Sequence, residues 1–196
     1  METLASRYPS DARILRALLK SYTSQRRYVE AMRLIAKLAT LDPSAGSDSE
    51  VVRSIVAAVQ GDAEAVEAVA TLLEQDLGEA GVDLLYDLTA KQTGASWKPR
   101  LNQSLTKPEV LAKASPAARL AIELRGAKRC ETKRDLLPRI QKEGDRRALA
   151  LLKSLTQTQG CGFLSLQDCW PCLRKTRALQ DAITALEART KEQGPP

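Results

Sequence analysis

Three of the chain's four cysteines fall within the stretch GCGFLSLQDCWPCLRK, at Cys161, Cys169 and Cys172; the fourth is Cys130. Thiols are the most reactive groups this sequence offers, and three chemistries suit them. A Cys-x-x-Cys pair at the start of a helix, here Cys169 and Cys172 around Trp170 and Pro171, suits a redox dithiol, because a helix N-terminus stabilises the thiolate. That chemistry belongs on a strand–helix–strand scaffold, and nothing in the sequence reads as a strand. Four thiolates together suit zinc, although one Cys-x-x-Cys supplies half of the usual ligand set and Cys130 and Cys161 stand alone. Two disulfides, or one beside buried thiols, suit an even number of cysteines lying in or near turns between helices, where they would clamp adjacent hairpins; four reduced, buried cysteines are the remaining alternative. The disulfide arrangement is the expected one, and it implies an oxidising compartment. Sequence leaves the pairing open among three possibilities.

The chain has no histidine. This removes Ser-His-Asp and Cys-His nucleophile systems, histidine-ligated zinc and the commonest general base. No glycine-rich phosphate loop of either common pattern occurs. The expectation is therefore a non-enzymatic protein, with no cofactor other than a zinc ion if the four cysteines bind one.

The elements that must position these cysteines read as helices. Hydrophobic residues make up 43% of the 196 positions and aromatics only 4%, which disfavours sheets. No apolar run approaches the length of a membrane span. The N-terminus METLASRYPSDAR has no apolar core of a secretory signal. In DARILRALLKSYT, Ile14, Leu15, Leu18, Leu19 and Tyr22 share one face of a helix that Ser10 or Asp11 can cap. A second helix follows in RRYVEAMRLIAKLATL and ends before Asp42-Pro43. Leu15, Leu18, Tyr22, Tyr28, Ala31, Ile35 and Pro43 fall at the spacings of a tetratricopeptide repeat, so residues 11–45 resemble one such hairpin. Leu19 and Leu38 are larger than that family's usual residues there. The resemblance implies that the outward face of the first helix, with Arg13, Arg16 and Lys20, lines a groove for an acidic peptide.

Three further helical segments end at Gly61, Gly78 and Gly94, with Ser47 or Asp48 available to cap the first. LGEAGVDLLYDLTA is similar to HEAT repeats. Residues 1–93 thus read as N-terminal helical repeats. Residues 94–115, with two prolines and Trp97, read as a junction containing a small helix at 108–114. Residues 116–190 read as C-terminal helical repeats carrying the cysteines, and 191–196 as a disordered tail. In this second half, Ser115 caps a helix with Pro116 at its first position, Asp145 opens another, Pro138 kinks or divides a third, and the last helix starts near Asp168. The expected fold is all-α: a right-handed α-solenoid of stacked antiparallel hairpins, tetratricopeptide-like at the start and HEAT-like thereafter.

Charge is segregated within a net +6. Residues 1–40 sum to +5, 41–95 to −9 and 96–196 to +10. Such blocks suit an electrostatically steered partner, a protein or an acidic peptide. Arg125, Arg129, Arg134, Arg146 and Arg147 are candidate binding residues in the basic half. The alternative is nucleic acid on that half, against which stand the scarce aromatics and the acidic block.

ASPAARLAIELRGAKRC, LLPRIQKEGDRRALALLKSL and GCGFLSLQDCWPCLRK, with the cysteine spacing and Gly162, Phe163 and Asp168, resemble the non-catalytic C-terminal regions of some bacterial transmembrane serine/threonine protein kinases. The resemblance spans roughly residues 114–188. It implies a regulatory, sensing or scaffold module of a bacterial signalling protein, on the periplasmic side if the cysteines are oxidised. No kinase motif is present in the sequence.

Overall fold

The computed structural model of the chain describes residues 2–91 and 94–192. It is all-helical: no strand occurs among the described residues, and the single β-bridge joins Cys161 to Gln167. The helices gather into two compact units, Met1–Ala114 and Ser115–Pro196.

The first unit contains α1 (Glu2–Arg7), α2 (Ala12–Ser24), α3 (Tyr28–Leu41), α4 (Ser49–Ala58), α5 (Ala63–Gln75), α6 (Gly78–Lys91), α7 (Lys98–Ser104) and α8 (Pro108–Leu111). Aspartates start three of these helices. The carboxylates of Asp11, Asp48 and Asp62 accept hydrogen bonds from backbone N–H groups in the first turns of α2, α4 and α5. Helices α2 and α3 pack together across the Gln25–Arg27 turn, then α3 packs on α5 and α5 on α6. The apolar stripes read from the sequence face inward: Leu15, Leu19, Ile35, Leu38, Ile55 and Leu73 are almost fully buried. At Gly81 helix α6 comes so close to α5 that a Cβ would lie 2.5 Å from the carbonyl oxygen of Leu73.

Helix α1 was not foreseen. It is tied down by Glu2, which accepts from the Tyr22 hydroxyl at 2.9 Å and pairs with Arg27 at 2.7 Å, while Arg27 also stacks on the Tyr22 ring. Residues 94–114 belong to the first unit, with Trp97 and Leu101 in its core. Helix α7 joins the small helix expected there. Part of the acidic block is neutralised within this unit. Glu74, 8% exposed on α5, accepts from Arg100, Ser104 and Lys107, and Arg100 also grips Glu67 with two bonds. Burial pushes the Glu74 carboxyl up, but the hydrogen bonds from Lys107, Ser104 and Arg100 outweigh it and hold its pKa below the usual value.

The second unit contains α9 (Pro116–Gly126), α10 (Cys130–Glu143), α11 (Arg146–Ser154) and α12 (Ala178–Glu192). Each helix packs on two others: α9 on α10 and α11, α12 on α10 and α11. Their shared core includes Leu120, Leu124, Leu137, Ile140, Leu152 and Ile183. Ser115 and Asp145 cap α9 and α11 as expected. Arg189 on α12 donates to the carbonyls of Gly144 and Gln141, closing the C-terminal end of α10.

Two expectations are corrected in this unit. Pro138 does not divide α10, which runs unbroken from Cys130 to Glu143 with the proline ring facing solvent. The last helix begins at Ala178, ten residues after Asp168. The intervening chain holds a 3-10 turn at Pro171–Arg174. The Asp168 carboxylate accepts the Trp170 N–H at 2.8 Å, and Trp170 is non-helical (φ −133°, ψ 52°), so helical conformation does not begin there. Of the tail read as 191–196, Lys191 and Glu192 complete α12 and the remainder lies outside the described residues.

Candidate functional site

The four cysteines form two separate pairs at disulfide distance. Cys130, the first residue of α10, meets Cys172 in the Pro171–Arg174 turn (S–S 2.05 Å), and Cys161 meets Cys169 (2.07 Å). The two members of the Cys-x-x-Cys therefore bond to different partners and do not start a helix, which removes the geometry of a redox dithiol. Nor do the four thiols converge as a tetrahedral ligand set. No group of three or more metal-ligating side chains is found among the described residues.

The inner pair belongs to the core. Cys172 is buried beside Leu173, and the turn containing both packs on α10 and α12. Next to it Lys133 is 5% exposed. Its ammonium donates to the Leu124 carbonyl near the end of α9 at 2.6 Å and lies 4.5 Å over the Trp170 ring. Burial holds its pKa below the usual lysine value. Arg174 reaches the other way. It donates to the carbonyls of Leu155 and Gln157 at the end of α11 and pairs with Asp168 at 3.3 Å. Together these groups fix both stems of the loop between α11 and the 3-10 turn.

The outer pair closes that loop on itself. Cys161 and Gln167 exchange two backbone hydrogen bonds, and the Gly160 N–H donates to the Ser165 carbonyl. Gly162 takes φ +69°, a conformation glycine adopts freely; Leu164 and Ser165 also take positive φ (54° and 58°), which costs a side-chain-bearing residue about 1–2 kcal/mol each. The result is a small closed loop with Phe163 81%, Leu164 72% and Leu166 64% exposed.

The basic candidates are dispersed. On α2, Arg13 is exposed and pairs with Asp11, and Lys20 is exposed. Arg16 is half-buried between Asp42 and Asp48, each at 3.4 Å, where it braces the α3–α4 connection. In the second unit, Arg125 and Arg129 flank the α9–α10 turn, whereas Arg146 and Arg147 lie beyond the far end of α10, about 20 Å away for a helix of this length. Arg134 pairs with the adjacent Asp135, and Arg147 with Asp145. The dense run of arginines in sequence is thus not one patch in space.

A shallow groove of about 320 Å³ that sequence reasoning missed runs between α3 and α5. Met32, Ala68 and Leu72 form part of its apolar floor, and Glu64, Glu67 and Asp76 stand on its rim with Arg33. Glu67 is held by Arg100, whereas Glu64 and Asp76 make no ion pair among the described residues. The missed signal was the alignment of the two helices, which a single helix's periodicity does not report.

No protein-family model, curated protein or solved structure matches the chain. No helix among the described residues is long and apolar enough to cross a membrane. The two cysteine pairs fit an oxidising, extracytoplasmic setting.

Proposed function

We propose that this chain is a non-enzymatic helical interaction module, the regulatory, sensing or scaffold part of a bacterial signalling protein working on the periplasmic side. In this reading the row α2, α3, α5, α6 is a short right-handed α-solenoid. The observation that carries the binding role is the α3–α5 groove, an apolar floor with unneutralised carboxylates on its rim. Its chemistry favours a peptide segment pairing apolar side chains with lysine or arginine. The α2 face favours an acidic peptide less, because Arg16 already serves Asp42 and Asp48. Nucleic acid is favoured least, since the arginines of the second unit are split between the two ends of α10.

The test is selection from a displayed random-peptide library against the oxidised full chain. The expected consensus is basic and apolar, with binding weakened at least about tenfold by Glu64→Lys with Asp76→Lys, which turns rim attraction of a basic ligand into like-charge repulsion. An acidic consensus that depends on Arg13 and Lys20 would move the site to α2, and absence of any enrichment would overturn the groove.

A further inference from the structure

The structure holds an apolar surface that the groove does not use. Elsewhere among the described residues the exposed large hydrophobics are single residues, Tyr8, Leu41 and Val56, the ordinary scatter of any surface. Phe163, Leu164 and Leu166 are more exposed than Leu41 or Val56 and lie together on one loop, whose shape is set by the Cys161–Cys169 pair and its own backbone bonds, not by burial. Three exposed large apolar side chains gathered on one short loop mark a docking site.

The surroundings of the loop identify what docks. The Cys130–Cys172 pair brings the α9–α10 turn to the base of the loop, with Lys128 and Arg129 exposed. Lys175 and Arg177, also exposed, follow the loop directly. None of these four makes an ion pair among the described residues. The loop's one carboxylate, Asp168, is neutralised by Arg174; Glu131 and Asp181 are the other acids nearest in sequence to this end. Residues 115–196 carry 16 Lys and Arg against 9 Asp and Glu. The N–H groups of Gly160, Cys161, Ser165, Leu166 and Gln167 donate to carbonyls inside the loop, while those of Gly162, Phe163 and Leu164 find no acceptor among the described residues. The headgroup zone of a bilayer, unlike its hydrocarbon core, holds water that can pair the remaining three, so the tip suits shallow interfacial seating.

We infer that the disulfide-closed loop is a membrane-docking tip. Phe163, Leu164 and Leu166 enter the interfacial region of an anionic bilayer while Lys128, Arg129, Lys175 and Arg177 meet its headgroups. The contact is peripheral and reversible, and it holds the second unit at the bilayer surface by one end.

Flotation of the oxidised full chain with vesicles tests this. One set contains phosphatidylcholine with a third phosphatidylglycerol, the other phosphatidylcholine alone. The chain binds the anionic vesicles, and replacing Phe163, Leu164 and Leu166 together by serine lowers partitioning at least about tenfold. These side chains are in solvent, so the variant retains its helical circular dichroism and melting temperature. Lys175→Glu with Arg177→Glu weakens binding to the anionic set. In Phe163→Trp, brominated lipid quenches the new tryptophan. Failure of the wild-type chain to bind anionic vesicles at low salt overturns the inference. So does a serine variant that binds as well as wild type, which would leave only surface attraction of charge. Concentration-dependent self-association that the serine variant abolishes, without vesicle binding, would assign the tip to a second copy of the chain. None of these outcomes depends on the α3–α5 groove.

Discussion

Lys133 shows how a residue that reads as surface becomes structural. In ETKRDLLPRIQKEG it belongs to a run of charges, yet its stem is buried, its nitrogen caps a carbonyl of α9 and it lies over Trp170. Its pKa is depressed in the folded state, so the unfolded chain holds the extra proton in the window between that value and the ordinary one near 10.4. Stability contributed by this group therefore rises with pH through that window and is absent below it. Urea unfolding from pH 7 upward is expected to show the gain in the wild type and not in Lys133→Met. Lys133→Ala also removes the packed stem and is expected to destabilise by about 2 kcal/mol. Glu74 has the same sign in a lower pH window. Its pKa is lowered, so its contribution is present above the carboxylate range and lost as pH falls through the folded value. Glu74→Ala leaves Arg100 and Lys107 without their buried partner and is expected to cost about 3 kcal/mol near pH 7, measured by the same unfolding. Neither role was legible in sequence, because the partners come from other helices. By contrast Asp11, Asp48, Ser115 and Asp145 were legible as caps, since a cap acts on the backbone within a few residues of itself.

At the scale of elements, the two cysteine pairs do unlike work. Cys130–Cys172 spans 42 residues and ties α10 to a buried turn; Cys161–Cys169 spans 8 and closes a loop in solvent. On the chain-entropy account the first is worth about 4 kcal/mol and the second about 2.5 kcal/mol. Denaturant unfolding should therefore find Cys130→Ser with Cys172→Ser the more damaging double substitution. The sequence signalled that the cysteines sit near turns, but not their pairing, which depends on where α10 runs relative to a turn some forty residues later. Most helices were legible from their apolar stripes. The start of α12 was misread because Leu173 is as apolar as the helix that follows, while the Asp168 side chain and Pro171 organise a 3-10 turn around it. Helix α7 was lost among the prolines and polar residues of a stretch whose Trp97 and Leu101 are core.

For the whole molecule, each unit has its own buried core, and all four cysteines lie in the second. Scanning calorimetry is expected to resolve two transitions. Reductant should lower the one belonging to residues 115–196 and leave that of residues 1–114 in place. A single transition that reductant shifts as a whole would show instead that the two unfold together. The all-α class was legible from composition and periodicity. The mutual packing of four helices in the second unit was not, because stacked hairpins and a closed set of helices present the same stripe of apolar residues along each chain segment.

The pairing also dictates an order of events during biosynthesis. Cys169 and Cys172 are three residues apart, so in an unfolded, oxidising chain each is the other's readiest partner, yet in the folded protein they are bonded elsewhere. A bond formed early between them must be undone by thiol exchange once α10 has brought Cys130 to its place. Maturation from the reduced chain is thus expected to pass through a trapped Cys169–Cys172 species that mass mapping can catch, and to run faster with a disulfide isomerase or a glutathione buffer than with oxygen alone.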